Sequence, residues 1–181
     1  MSKTEEIRLV KLRNLIRDVP DFPKPGVMFK DITPLLSDAA GLSLAVEYLT
    51  QPWRTASIAK VVGAESRGFI FGTAVARNLS CGFVPIRKPG KLPWATRGQS
   101  YDLEYGQDTL EIHEDAIKPG ERVLLIDDLL ATGGTMDAAC RLIQVLEGDI
   151  IGISVLIELA FLGGRNKLPG IPIHSLLSYD S

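Results

Sequence analysis

The chain has 181 residues, 45% of them apolar, and a net charge of −2 at pH 7. That length predicts one domain with a sizeable core, and the near-neutral charge excludes a general nucleic-acid or membrane-surface binder. Apolar runs fall short of the ~18 residues of a membrane span, no targeting segment is evident, and Cys81 and Cys140 sit among apolar residues without metal spacing. A cytoplasmic protein with both thiols reduced is expected.

Ser2-Lys3-Thr4-Glu5 reads as a capping box, and Ile7, Leu9, Leu12, Leu15 and Ile16 predict an amphipathic helix reaching about Arg17. Its basic residues, Arg8, Lys11, Arg13 and Arg17, read as a solvated side and not as a DNA-binding surface. Pro20, Pro23, Pro25 and Gly26 then impose a shaped loop over residues 20–34. The Phe29 ring and the backbone of Val27, Met28, Phe29 and Lys30 could stack on and hydrogen-bond a flat base, or the loop could be a packed connector. Ser37 or Asp38 can cap a helix through Leu44 to Leu49, and residues 57–64 predict a strand.

The turn Gly63-Ala64-Glu65-Ser66-Arg67-Gly68, followed by a predicted helix over 69–79, presents backbone donors and a bidentate Arg67 to an oxyanion. Pyrophosphate would suit it. The same turn is close to a nucleophile elbow, with Ser66, Asp127 or Asp128, and His174 in the chain order of an α/β-hydrolase triad. That alternative leaves the later acids and small-residue turn without a role. Residues 82–87 read as a third strand, after which Arg87, Lys88, Lys91 and Arg97 run without an acid among them. A long basic loop predicts a lid over an anion site, or else a solvated loop. Tyr101-Asp102-Leu103-Glu104-Tyr105 alternates, turns at Gly106-Gln107-Asp108 and returns through Leu110 and Ile112, predicting a hairpin with His113 at the surface of its returning strand.

Residues 123–135 are the most informative stretch. Val123 to Ile126 read as a strand buried on both faces, Asp127 and Asp128 follow, and Ala131, Thr132, Gly133, Gly134 and Thr135 form a turn of small residues before a helix over 136–146. The P-loop lysine and the three spaced glycines of a dinucleotide fingerprint are both missing. Adjacent carboxylates would repel a second phosphate, yet they accept vicinal sugar hydroxyls and can hold hydrated Mg²⁺. The ligand so described is a ribose 5-phosphate. Residues 150–159 and 171–177 supply two more strands, the second an edge strand carrying His174. The fold expected is α/β: a mostly parallel twisted sheet with helices on both faces, an N-terminal helix and a flexible basic lid hairpin over 88–113, in one domain of residues 1–181.

The apolar-flanked acids joined to Ala-Thr-Gly-Gly-Thr resemble the phosphoribosyl pyrophosphate motif of type I phosphoribosyltransferases, and residues 22–34 resemble the purine-facing loop of adenine-specific members. The resemblance implies transfer of a 5-phosphoribosyl group from phosphoribosyl pyrophosphate to adenine, giving AMP and pyrophosphate, with Mg²⁺ as cofactor. It assigns the ribose to Asp127 and Asp128 and the 5-phosphate to residues 131–135. Pyrophosphate falls to Glu65, Ser66, Arg67, Arg87, Lys88 and Lys91, and adenine to residues 27–30 with Leu159 and its neighbour Ala160. It further implies a catalytic Glu104 near the base, lid residues Tyr101 and Tyr105, a cis peptide at Glu65-Ser66, and a homodimer. Trp94 to Ser100 match the family's pattern least. Another purine-specific transferase, or an effector-binding relative without catalysis, shares the same fold and is the alternative.

Overall fold

Apolar runs flanked by turn residues form the strands of this chain, whose computed structural model describes residues 3–102 and 107–181. Two compact units result, residues 1–48 and 49–181. In the first, α1 (Lys3–Asn14) is followed by a short antiparallel pair, β1 (Arg17–Val19) and β2 (Phe29–Asp31), then α2 (Thr33–Ser37) and most of α3 (Ala39–Thr50). The expected helix to Arg17 ends early because Arg17 enters the ladder opposite Asp31, its Nε 3.3 Å from that carboxylate. Of the expected apolar face, Leu12 and Ile16 are buried and Leu9 and Leu15 half-buried, whereas Ile7 is exposed; Arg8, Lys11, Arg13 and Arg17 are on the solvated side as expected. Asp38 does cap α3, accepting the Gly41 N–H at 2.6 Å.

The proline-rich segment between β1 and β2 is closed by local bonds. Asp21 accepts the Gly26 N–H at 2.8 Å, Phe22 N–H donates to the Val27 carbonyl at 3.2 Å, and the Phe22 and Phe29 rings meet edge to face at 5.0 Å. Such aromatic pairing stabilises by about 0.5–1.5 kcal/mol beyond area burial, so a shaped loop is what the sequence produces.

The second unit is organised by a five-stranded parallel sheet in the order β4-β3-β7-β8-β9. Its strands are β3 (Lys60–Ala64), β4 (Gly82–Ile86), β7 (Arg122–Leu130), β8 (Asp149–Leu159) and β9 (Ile173–Tyr179). The strand expected from residue 57 starts at Lys60, since Ser57 has φ of +50° and cannot extend the ladder. Val62, Val84, Leu125 and Val155 pack with Met136, Ala139 and Cys140 of α5 (Gly134–Val145), and α4 (Arg67–Asn78) lies against β3, β4 and β7. A parallel sheet needs both faces covered, and this apolar sequence meets that need; each fully buried Val, Leu or Ile contributes about 1.5–3 kcal/mol.

A second antiparallel pair, β5 (Thr96–Asp102) and β6 (Gln107–His113), runs in register from Thr96 opposite His113 to Asp102 opposite Gln107. The hairpin therefore begins five residues before the expected Tyr101, and Gln107 and Asp108 belong to the returning strand and not to the turn. Two features decide this: Leu110 and Ile112 are buried in the core that α5 shares, and Ser100 and Thr109 hydroxyls bond across the ladder at 2.9 Å. Residues 87–95 remain without a strand of their own, though Arg87 is pinned to Glu111 by two backbone bonds of 2.9 and 2.7 Å. His113 is half-buried, not at the surface as expected. No helix among the described residues is long and apolar enough to cross a membrane.

Candidate active site

Because β3 and β7 are parallel neighbours, the turns that follow them open at the same edge of the sheet. The first runs through Glu65 and Ser66 into α4, with a cis peptide between those two residues; the second runs from Ala131 to Gly133 and into α5. Together they line a cavity of about 420 Å³ that takes in Glu65, Ser66, Arg67, Asp127, Asp128 and every residue of 129–136. Ligand clefts at sheet edges of this kind lie beyond the carboxyl ends of the strands. The strand β7 continues beyond the expected Val123 to Ile126, through both acids to Leu130, so the carboxylates are held by a ladder, Asp127 opposite Val155.

Gly133 precedes α5 with φ of +81°, and a Cβ there would overlap the Gly164 carbonyl oxygen. Only glycine satisfies both conditions. The first intrahelical bond runs from Asp137 N–H to the Gly133 carbonyl at 2.9 Å, which leaves the preceding N–H groups at the helix start for an anion.

The charges around this cavity are paired with one another. Arg67 Nε lies 2.8 Å from Asp128 Oδ2, and Asp127 Oδ1 accepts the Asp128 N–H at 2.9 Å. Burial first, and then the Asp128 charge, push the Asp127 carboxyl well above the ordinary carboxylate range; burial pushes Asp128 up as well, against the opposing pull of Arg67. Arg87 donates to Glu65 at 2.7 Å and sits 6.0 Å from the centre of the Phe69 ring. Lys88 pairs with Asp108 of the hairpin at 3.0 Å; that hydrogen bond raises the lysine and lowers the carboxylate from their ordinary values. Lys91 is exposed, in a turn whose N–H reaches the Lys88 carbonyl at 3.3 Å.

The remaining sequence candidates fall in several places. Tyr101 faces Asp108 across the hairpin and lines a second cavity of about 390 Å³ with Gly134, Asp137, Arg141 and Lys167. Leu159 ends β8 and is buried, whereas Ala160 is exposed. Val27 to Lys30 lie in the N-terminal unit, where Lys30 is buried with its ammonium 2.7 Å from Asp18, Phe29 meets Phe22, and Met28 is exposed. Glu104 and Tyr105 lie outside the described residues. The hydrolase alternative fails on topology: Ser66 follows β3, while His174 is on edge strand β9, three strands away and therefore about 14 Å off at the usual strand spacing.

Sequence reasoning missed a cluster on the far side of the cradle, where the buried Glu158 takes a two-pronged bond from Arg165 beside Gly164. A charged residue inside the apolar run Leu156-Ile157-Glu158-Leu159 was the signal, since a buried carboxylate requires a partner.

A sheet edge that offers paired acids, an anion cradle and an arginine turn to one ligand defines a sugar-phosphate-binding α/β protein, and residues 39–166 match the family model of the phosphoribosyl transferase domain. The adenine phosphoribosyltransferase of Acidobacterium capsulatum is 52% identical over 180 residues, spanning 99% of each chain. The crystal structure of the Rhodothermus marinus adenine phosphoribosyltransferase superposes with a TM-score of 0.92 at 52% identity, covering 96% of this chain and 99% of that one. That of the Saccharomyces cerevisiae enzyme, complexed with an imino-altritol bisphosphate and adenine, gives 0.90 at 36% identity over 95% and 99%. The chain belongs to the adenine phosphoribosyltransferase family.

Proposed function

We infer that this chain is a glycosyltransferase of purine salvage that moves the 5-phosphoribosyl group from phosphoribosyl pyrophosphate to adenine, giving AMP and pyrophosphate. The observation that carries this reading is the cavity shared by two adjacent carboxylates, an anion cradle at a helix start and an arginine-bearing turn. Asp127 and Asp128 accept the vicinal ribose hydroxyls, and backbone N–H groups of residues 131–135 take the 5-phosphate. Glu65, Ser66 and Arg67, with Arg87, Lys88 and Lys91, receive the pyrophosphate. Residues 20–34 recognise the base through Val27, Met28, Phe29 and Lys30, aided by Leu159; residues 88–113 are the lid and hairpin, with Tyr101 and Tyr105 as lid residues and Glu104 as the catalytic group. The whole chain, 1–181, acts as one catalytic domain, homodimeric and cytoplasmic, and sedimentation velocity tests the dimer.

Substitution at the anomeric carbon passes through an oxocarbenium-like state, so the protein's task is to align two reactants and stabilise a departing polyanion. Arg67 must exchange Asp128 for the ligand's oxygens, and that exchange releases Asp128 to the ribose. The two carboxylates fit Mg²⁺ that arrives with the diphosphate: they are hard oxygen donors beside the cavity, and no group of three potential metal ligands exists among the described residues to form a cage of its own. Mg²⁺ would neutralise pyrophosphate charge, with Asp127 and Asp128 holding it through water.

AMP formation from adenine and phosphoribosyl pyrophosphate tests the reading directly. Hypoxanthine presents an acceptor where adenine presents an amino donor, leaving buried groups unpaired, so its kcat/KM is expected to be lower by about 10²–10⁴. Equal values would move the chain to another purine specificity. Tight binding with no turnover of any purine would favour the effector-binding alternative.

Lys91 is exposed in a segment fastened mainly at Arg87 and Lys88, so trypsin is expected to cut there rapidly in the free protein. Phosphoribosyl pyrophosphate, Mg²⁺ and an unreactive adenine analogue together should slow the cut by about tenfold or more. Equal rates with and without ligands would make residues 88–95 a passive loop.

A further inference from the structure

The cradle of residues 131–135 has a constraint of its own: N–H groups reserved for an anion cannot also be spent on holding the loop's shape. Its shape must be imposed from outside. The backbone of Gly164 supplies that support, since a Cβ on Gly164 would overlap the Ala131 carbonyl oxygen and come within 3.1 Å of the Gly133 nitrogen, and a Cβ on Gly133 would overlap the Gly164 carbonyl. The backbone of Gly164 is thus in direct contact with the backbone of Ala131 and Gly133.

Gly164 is in turn fixed by its neighbour. Arg165 donates Nε to Glu158 Oε1 at 2.6 Å and Nη2 to Oε2 at 2.7 Å, Nη2 also reaches Ser175 Oγ at 2.9 Å, and Nη1 reaches the Ile173 carbonyl at 3.2 Å. Ser175 Oγ completes the set by donating to Glu158 Oε2. Glu158 is the penultimate residue of β8 with its side chain 8% exposed, and Ser175 and Ile173 belong to β9, so one guanidinium spans two sheet strands. A planar fork held at four points fixes direction as well as distance, which a lysine cannot do.

We propose that Arg165, clamped by Glu158 and Ser175, is a positioning residue for the 5-phosphate: it holds Gly164 against Ala131 and Gly133 and so keeps the cradle's N–H groups convergent. The clamp touches neither substrate nor reacting atoms. This inference rests on the assignment of residues 131–135 to the 5-phosphate, and it adds a selective signature: the far subsite at Glu65 to Arg67 is built by a different turn, so pyrophosphate binding is independent of the clamp.

The test compares ribose 5-phosphate and pyrophosphate binding by calorimetry on the full chain, with initial rates alongside. Arg165→Met is expected to weaken ribose 5-phosphate about tenfold and to raise KM for phosphoribosyl pyrophosphate by a similar factor, with pyrophosphate affinity and kcat within about threefold of wild type. Glu158→Gln should behave alike, and Arg165→Lys should restore part of the loss. If Arg165→Met does not fold, Arg165→Lys and Ser175→Ala carry the comparison. Equal weakening of both ligands, or unchanged ribose 5-phosphate affinity in a folded variant, overturns the clamp's role. Gly134→Pro, which removes one cradle N–H at the first position of α5, where proline is tolerated, separates that failure from a deeper one: if it abolishes ribose 5-phosphate binding while the clamp variants do not, the clamp alone is wrong, and if it too binds normally, the cradle assignment falls with it.

Discussion

Asparagine at both Asp127 and Asp128 is expected to lower affinity for phosphoribosyl pyrophosphate by roughly 10²–10⁴, the loss of two charged acceptors at about 1.5–3 kcal/mol each. Titration calorimetry on the folded variant measures it, and unchanged affinity would remove the ribose assignment. Stability should move in the opposite direction. Burial and mutual repulsion hold Asp127 above its ordinary 3.8 in the folded chain, and burial holds Asp128 above it too. Between the unfolded and the raised folded pKa the native state binds more protons than the unfolded one, so stability falls as pH rises through that window, by up to about 1.4 kcal/mol per pH unit for each proton. Below the unfolded value the penalty is absent. The double variant lacks the titrating groups, so its melting temperature should lose this decline and exceed the wild type's on the alkaline side of the window. Loss of the Arg67–Asp128 pair subtracts little, because the guanidinium is partly exposed and can be hydrated. Melts across about pH 4 to 8 that keep the same slope in both proteins would show that the acids are not strained by burial.

That the binding acids are also a source of instability explains why the sequence displays them so openly. Two carboxylates at the end of an apolar run have no reason of packing to be there, and the turn of small residues that follows completes the pattern within nine contiguous positions, 127–135. Contiguity made the cradle legible. The parallel strands were legible for a related reason: β3, β4, β7 and β8 are apolar runs that need no partner's identity to be recognised. What escaped was set by pairing across the chain. Arg17 leaves its helix for Asp31, Thr96 to Ser100 become a strand because Thr109 to His113 are opposite them, and Gln107 and Asp108 join that strand. The same holds within the site, where Arg67 with Asp128, Arg87 with Glu65, Lys88 with Asp108, and Gly133 with Gly164 come together only through the fold. A basic run read as free charge is in fact partly neutralised by acids from other elements, so ligand binding there is an exchange of partners and not a capture by unpaired cations.

Glu104→Gln is expected to lower kcat by roughly 10²–10⁴ with little change in substrate affinity, the range for loss of a general acid–base group. When a ring nitrogen of adenine attacks the anomeric carbon, positive charge appears on the base and a proton must leave it. A carboxylate near the base can accept that proton or stabilise the charge, and glutamine keeps the shape while removing both abilities. Glu104 lies in sequence between β5 and β6, and the described ends of that hairpin connect it to the pyrophosphate side: Asp108 holds Lys88, and the Glu111 carboxylate accepts the Gly90 N–H at 3.2 Å. Glu111→Gln weakens this tether between hairpin and basic segment, whereas substitution of Glu6, an exposed acid of α1, serves as the inert control. Glu111→Gln should change trypsin sensitivity at Lys91 while single-turnover rates stay within about threefold of wild type. Glu104→Gln should do the reverse, leaving proteolysis unchanged and slowing the single turnover. If Glu104→Gln turns over as fast as wild type, the proton leaves by another route and rate enhancement rests on alignment and on the charges that stabilise departing pyrophosphate.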